Sequence, residues 1–202
     1  MKVRILFLIC FLSITCLLNA ADKPVIQIHT DNSSLIFRVA DNGRLYQSYL
    51  GKKLNHEADI SHLPQGTEAY ITHGMEDYFE PAIHILHNDG NPSLLLKYVS
   101  HETKAVSQGV NETIITLGDD KYPVTVKLHY VTYPAEDIIK TYTEISHKEK
   151  KPVVLHQYAS SMLHLNRAKY YLTEFSGDWA HEANISDQPL EFGKKVLDTK
   201  LG

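Results

Sequence analysis

The sequence predicts an all-β fold, an antiparallel β-sandwich of two sheets, from three observations. Apolar residues alternate with polar ones, the period of a half-buried strand. Residues that favour tight turns separate these short stretches. No segment longer than two turns has a clear helical pattern, which excludes the strand–helix alternation of a parallel α/β enzyme. The 12 tyrosines agree with a β-rich chain.

The clearest strand is PVTVKLHYVTY, residues 123–133. Its period of two places Val124, Val126, Leu128 and Tyr130 on one buried face and the residues between them on a face towards solvent. The same pattern, in shorter form, predicts nine further strands at 25–29, 34–40, 44–50, 82–87, 93–100, 112–117, 138–147, 153–163 and 168–175.

Turn residues fall between the predicted strands. The segments DNG at 41–43 and NDGNP at 88–92 contain the residue types that tolerate the positive φ of tight hairpins. The longest stretch without a strand pattern, 51–66, predicts an extended polar loop that is functional or covered by a partner.

The N-terminus has the features of a secretory signal peptide at residues 1–21. Lys2 and Arg4 precede a long apolar run, which ends before the small residues Ala20 and Ala21. The run is shorter than the ~20 residues that a membrane span requires. We therefore expect a secreted or periplasmic protein with no membrane partner, in which residues 22–190 form one domain and residues 191–202 begin a linker.

Charge and cysteine content exclude several classes of partner and site. Both cysteines, Cys10 and Cys16, lie in the predicted signal peptide, so removal of that peptide leaves no thiol for metal binding or nucleophilic catalysis. Loss of Lys2 and Arg4 leaves 18 basic residues against 24 acidic ones, a net charge of about −6. This acidity argues against nucleic acid as a partner.

The 12 histidines raise the question of a metal site. The closest pair on one predicted strand is His84 and His87, but residues three apart on a strand point to opposite faces. No cysteine or cluster of acids completes a ligand set, and no glycine-flanked serine or phosphate-binding loop is present. We expect no metal and no cofactor.

The segment SGDWAHEANIS, residues 176–186, contains the single tryptophan of the chain, Trp179. An indole beside carboxylates suits a sugar, whose ring has an apolar face to stack and hydroxyls to bond. The alternative is that Trp179 is a buried packing anchor.

A second acidic and aromatic segment runs through residues 76–80, EDYFE. Its carboxylates could bind sugar hydroxyls, or Tyr78 or Phe79 could fill the core while the acids remain in solvent.

Two pairs of carboxylates could be proposed as a hydrolytic pair: Asp178 with Glu182, and Glu76 with Glu80. Glycoside hydrolysis requires carboxyls that face each other at ~5–9.5 Å, which sequence neighbours in loops rarely do.

Three segments together resemble the N-terminal region of family 36 glycoside hydrolases, which are mostly α-galactosidases. They are DNGRLYQSYLGKKL (41–54), HGMEDYFEPAIHILHNDGNPSLLLKYVSH (73–101) and LTEFSGDWAHEANISDQPLEFGKKVLDTKLG (172–202). The resemblance implies a β-supersandwich that precedes a catalytic (β/α)₈ barrel, in an enzyme that forms homo-oligomers. The catalytic aspartates of the family lie on that barrel, so we expect no catalytic residue in this chain.

The resemblance also implies two substrate-binding residues, Trp179 and Asp77. Trp179 matches the tryptophan of a Gly-x-Trp-x-x-Glu block, and Asp77 matches the acid of a Gly-x-x-Asp-Tyr/Phe block. In the family such residues help to wall the galactose pocket, sometimes that of a neighbouring subunit. The sequence departs from the family at His181, where many members have arginine.

Three functional hypotheses follow. In the first, the chain is the N-terminal domain of a secreted α-galactosidase that hydrolyses terminal non-reducing α-D-galactose in oligosaccharides. It would pack on the barrel, support oligomer assembly and wall the pocket. In the second, it is a freestanding carbohydrate-binding module without activity. In the third, it serves only as a structural or assembly module.

Overall fold

A computed structural model of the chain describes residues 23–75, 79–165 and 169–198. The predicted signal peptide lies outside these residues. The described part forms strands and one short helix, in the order β1 (Val25–His29), β2 (Ser33–Val39), β3 (Leu45–Lys52), α1 (Glu57–Ser61), β4 (Thr67–Glu68), β5 (Ile83–Leu86), β6 (Leu96–Ser107), β7 (Val110–Asp119), β8 (Val124–Tyr133), β9 (Ile138–His147), β10 (Val154–Tyr158), β11 (Tyr170–Asp178) and β12 (His181–Leu190).

Two four-stranded antiparallel sheets, ordered β1-β2-β3-β4 and β6-β7-β8-β9, make up the body of the protein. Two smaller antiparallel pairs, β5 with β10 and β11 with β12, accompany them. The predicted all-β antiparallel sandwich is therefore confirmed. No helix in the described part of the chain is both long and apolar enough to cross a membrane.

The hydrophobic core lies between the inner faces of the two large sheets. Phe37 from the first sheet and Tyr130 from the second have ring centroids 5.1 Å apart, which places the two faces in contact. The four residues predicted for the buried face of β8 are all 4% exposed or less, which confirms the period of two. The core comprises mainly Ile26, Ile28, Leu35, Phe37, Leu45, Ile83, Ile85, Leu96, Ile115, Leu117, Val124, Val126, Leu128 and Tyr130.

The opposite face of β8 is less exposed than its polar residues predict. His129 is only 6% exposed, because its ring stacks on Tyr142 of β9 and its Nδ1 lies 2.9 Å from Glu112 Oε1 of β7. The Tyr142 hydroxyl donates to the same carboxylate oxygen at 2.6 Å. Hydrogen bonds from Tyr142, His129 and Lys104 lower the pKa of Glu112 to about 2, against a burial effect in the other direction.

The polar loop at 51–66 covers the outer face of the first sheet. It contains α1, whose Ile60 is 3% exposed, and the Ile60 carbonyl accepts a hydrogen bond from Arg38 of β2. At the start of the loop the Leu54 N–H donates to Ser34 Oγ at 3.0 Å. These contacts explain why Ile36, on the outer face of β2, is 0% exposed.

Gly66 ends this loop where it approaches β3. Its φ is +84°, and a Cβ there would lie 1.9 Å from the Gln47 carbonyl oxygen. Gly90 has an almost identical φ of +86°, but a Cβ there would meet nothing within 4 Å. A comparison of alanine substitutions at Gly66 and Gly90 therefore separates the cost of a steric collision from the cost of backbone strain.

We expect Gly66→Ala to lower the free energy of unfolding by at least about 1 kcal/mol more than Gly90→Ala. Both variants carry the cost of about 1–2 kcal/mol for a non-glycine residue in the left-handed region, and only Gly66→Ala also displaces the backbone of β3. Urea denaturation followed by circular dichroism measures both. Equal losses would contradict the close approach of Gly66 to Gln47.

Candidate functional site

The hairpin of β11 and β12 presents Trp179 at its tip. The strands pair from Tyr170 opposite Leu190 to Asp178 opposite His181, with an irregularity between Ser176 and Asp178. β12 was not predicted from the sequence, because HEANISDQPL lacks alternating apolar residues. Backbone pairing with β11 holds these residues as a strand, although their own side chains show no strand pattern.

Local hydrogen bonds shape the turn around Trp179. The Asp178 carboxylate accepts the N–H of Trp179 at 2.6 Å, and Asn184 Nδ2 donates to the His181 carbonyl at 2.9 Å. Ala180, with a φ of 62°, adopts the left-handed conformation that reverses the chain. The Trp179 side chain is 90% exposed, so it is not a buried packing anchor in this chain.

One face of the hairpin is open to solvent and carries two apolar pairs, one on each side of the hydrogen-bonded pair Thr173 and Asp187. Phe175 lies opposite Ile185 and Tyr171 lies opposite Pro189, so these four side chains share a face. Tyr171, Phe175 and Ile185 are 66%, 70% and 68% exposed. An apolar sheet face of this kind is typical of a surface that another protein element covers.

The segment that follows β12 forms a groove with the opposite face of the hairpin. The groove has a volume of about 520 Å³ and is lined by residues that include Leu172, Leu190 and Phe192. Lys194 joins this segment to the 79–81 loop through an ion pair with Glu80 at 2.8 Å. The hydrogen bond and charge of Lys194 lower the pKa of Glu80.

The second predicted site segment is only partly described. Asp77, together with Glu76 and Tyr78, lies outside the described residues. Phe79 is described and is 68% exposed, so the prediction that Phe79 could fill the core is wrong. The core at this point is filled instead by Ala82 and Ile83, which are 1% and 0% exposed.

Two of the candidate carboxylates have structural partners. Asp178 is bonded to the backbone of the Trp179 turn, and Glu80 to Lys194 and Gln157. The exposed indole of Trp179 offers a flat stacking surface, and Asp178 helps to hold the geometry of its turn. Such a surface can contribute binding to a sugar but does not by itself break a glycosidic bond.

The histidine pair considered for metal binding is divided between two environments. His84 stacks on His73, whereas His87 is buried, stacks on Tyr122 and lies 2.7 Å from Glu149. The described residues include no group of three or more His, Cys, Asp or Glu side chains arranged to hold a metal ion. His73, His84 and His156 lie together, a grouping that their spacing along the chain does not indicate.

Comparison with curated proteins gives a partial match to fungal enzymes. The chain is 24% identical over 142 residues to the probable alpha-galactosidase G of Aspergillus terreus. The matched region is 64% of this chain but only 20% of that enzyme. The chain thus spans a small part of the length of this relative.

Comparison with solved structures supports the fold. The chain superposes with a TM-score of 0.75 and 19% identity on the family 36 α-galactosidase AgaA of Geobacillus stearothermophilus. The match covers 84% of this chain and 28% of that one. A variant of the same enzyme in complex with raffinose gives a TM-score of 0.71 at 18% identity over the same shares of the two chains.

The sequence profile of the glycosyl hydrolase family 36 N-terminal domain matches residues 42–202. This region includes the whole of β3, all later strands and both segments that contain the candidate sugar-binding residues. With most of the chain matched and the β-sandwich present, the chain belongs to the N-terminal domain family of the family 36 glycosyl hydrolases.

Proposed function

We propose that this chain acts as the N-terminal domain of a secreted α-galactosidase for terminal non-reducing α-D-galactose in oligosaccharides. The observation that carries the proposal is the exposed Trp179 at the tip of a hairpin inside the matched region. The fungal relative is described as a probable alpha-galactosidase, and the AgaA variant was solved with raffinose, an α-galactoside. Secretion rests on the signal-peptide pattern at residues 1–21.

The proposed role of the domain is to pack on a catalytic (β/α)₈ barrel and to support assembly of the oligomer. Most exposed large apolar side chains of the described residues lie between positions 154 and 197. They are concentrated on β10, the β11–β12 hairpin and the segment after β12, so one part of the surface is suited to burial. The barrel would supply the pair of catalytic aspartates.

The proposed contribution to the substrate site is a wall of the galactose pocket formed by Trp179 and Asp77. The indole would stack on the apolar face of the sugar, and the carboxylate would accept hydrogen bonds from its hydroxyls. Because Trp179 projects from the hairpin tip, it can reach a pocket on another domain or on a neighbouring subunit.

We expect Trp179→Ala to raise KM for raffinose about five- to tenfold, which corresponds to a stacking contribution of about 1 kcal/mol or somewhat more. The assay requires a barrel, so the variant is placed in a chimera in which this chain replaces the N-terminal domain of the Aspergillus terreus relative. Val106→Ala, which shortens an exposed apolar side chain of β6 outside this surface, is the control and should leave KM unchanged. An unchanged KM in Trp179→Ala would refute the pocket-wall role.

Fluorescence titration of the chain alone distinguishes the proposal from a freestanding carbohydrate-binding module. Trp179 is the single tryptophan, so the emission reports on its environment directly. The proposal expects no saturable change with galactose or raffinose and no hydrolysis of an α-galactoside. A saturable change in the emission of Trp179, with a micromolar to low millimolar Kd, would favour the binding module. Hydrolysis of an α-galactoside by the chain alone at an enzyme-like rate would refute both the proposal and the binding-module alternative.

A further inference from the structure

Three histidines lie together on the side of the β5–β10 pair that faces away from the core. His84 belongs to β5, His156 to β10, and His73 to the segment that runs beside β5, where the His73 N–H donates to the Ile83 carbonyl at 3.0 Å. The ring of His84 stacks on His73 with centroids 3.7 Å apart and lies 4.8 Å from the ring of His156. The proposed galactosidase role does not involve these rings.

No described carboxylate is hydrogen-bonded or ion-paired to any of the three rings. Among the described charged groups near these elements, Glu80 and Lys194 pair with each other, and Glu80 also accepts a hydrogen bond from Gln157 of β10. Glu149, in the loop before β10, is bonded to His87. Protonation of the three-histidine stack would therefore add positive charge that no acid among the described residues offsets by a direct bond.

Burial, followed by the positive charges of His73 and His156, lowers the pKa of His84. A histidine whose pKa is lower while β10 is paired with β5 binds protons more readily when the two strands separate. The paired state is thus fully stable above the ordinary histidine pKa of about 6.5, and it is weakened as the pH falls from that value through the lowered pKa of His84 in the folded protein.

The two strands differ in how firmly the core holds them. Ile83 and Ile85 of β5 are 0% and 2% exposed, whereas Val154, Leu155 and Tyr158 of β10 are 51%, 42% and 65% exposed. The pairing of β10 is also irregular between Leu155 and Gln157, at the position of His156. Repulsion between the rings should therefore displace β10 while β5 stays in place.

We propose that His73, His84 and His156 form a proton-sensitive clasp that holds β10 on β5 at neutral pH and releases β10 in mildly acidic solution. Release would change the apolar surface that β10 carries, so the packing of this surface against another element would depend on pH. The clasp is a property of this chain alone and stands whether or not the galactosidase proposal is correct.

Amide hydrogen exchange of the full chain at about pH 7.5 and about pH 5.5, corrected for the intrinsic exchange rates, tests the clasp. We expect the protection of residues 154–158 to fall about fivefold or more at the lower pH, while the protection of β7 changes much less. In His84→Gln, which cannot gain the charge, this fall should nearly disappear. His62→Gln changes an exposed histidine on the distant loop and should behave as the unmodified chain.

His156→Gln provides a second test if His84→Gln folds poorly, because the His156 residue is exposed and its loss leaves the core unchanged. It removes one of the two charges beside His84 and should reduce the pH effect on β10. Equal protection of β10 at both pH values in the unmodified chain would overturn the proposal. A pH effect on the protection of β10 that is undiminished in both His84→Gln and His156→Gln would also overturn the proposal.

Discussion

Phe37→Ala is expected to lower the free energy of unfolding by about 3–5 kcal/mol, the loss typical of a large aromatic side chain removed from a packed core. Phe37 is 0% exposed and its ring centroid lies 5.1 Å from that of Tyr130 on the facing sheet. The cavity would open where the two sheets meet, and the other closely packed core side chains keep the sheets from closing over it fully. Urea denaturation followed by circular dichroism gives the loss directly.

Phe175→Ala is the matched control for this prediction. It removes the same side chain from a surface position that is 70% exposed, so the expected change is within about 0.5 kcal/mol. The slope of unfolding free energy against urea should be the same in both variants, because each unfolds the same sandwich. A loss in Phe37→Ala no larger than that in Phe175→Ala would contradict the packing of the two sheets around Phe37.

Glu149→Gln is expected to cost about 2–3 kcal/mol at neutral pH, because it breaks a buried charged hydrogen-bond network. The Glu149 side chain is 2% exposed and that of His87 is 0% exposed, and Oε1 lies 2.7 Å from His87 Nδ1. The other carboxylate oxygen accepts the backbone N–H of Asn88 at 3.0 Å. This network ties the loop between β9 and β10 to the turn that follows β5.

The geometry around His87 explains why glutamine is a poor replacement. Nδ1 faces the Glu149 carboxylate, and Nε2 lies 3.2 Å from the Ser93 carbonyl oxygen. Both ring nitrogens therefore face oxygen atoms. A neutral glutamine has one side-chain oxygen in place of two, so it cannot replace both charge-assisted hydrogen bonds that the carboxylate accepts from His87 and from the Asn88 backbone.

The effect of Glu149→Gln should depend on pH in a defined direction. Burial would raise the pKa of Glu149, but hydrogen bonds from His87 and Asn88 and the charge of His87 outweigh it and lower that pKa. A carboxylate with a lowered pKa stabilises the folded state above its unfolded value of about 4.3, and this stabilisation is lost as the pH falls further. The difference between the two proteins should shrink as the pH is lowered from 7 to about 3.

Glu136→Gln, at an exposed turn, serves as the control and should change stability by less than about 0.5 kcal/mol at either pH. A loss in Glu149→Gln that stays constant from neutral to acidic pH would show that the carboxylate charge is not the source of the stabilisation. Urea denaturation curves at several pH values provide the comparison.

Most of the fold could be predicted because the strands that bury one face carry a pattern with a period of two. β1 and β9 were predicted at their observed bounds, and β8 to within one residue at one end. β12 was missed because both of its faces are largely exposed, so its residues show no alternation. The helix α1 was missed because five residues with a single buried side chain, Ile60, produce no helical pattern.

The sequence by itself determined the fold class, the family and the position of Trp179 in a Gly-x-Trp-x-x-Glu segment. Those properties depend on residue types and spacings along the chain, which can be read without coordinates. Tertiary structure alone decided that Trp179 projects into solvent, that Phe79 lies outside the core and that His73, His84 and His156 meet. Contacts between residues distant in sequence depend on strand order and register, and the free energy that fixes these comes from burial shared by the whole sandwich.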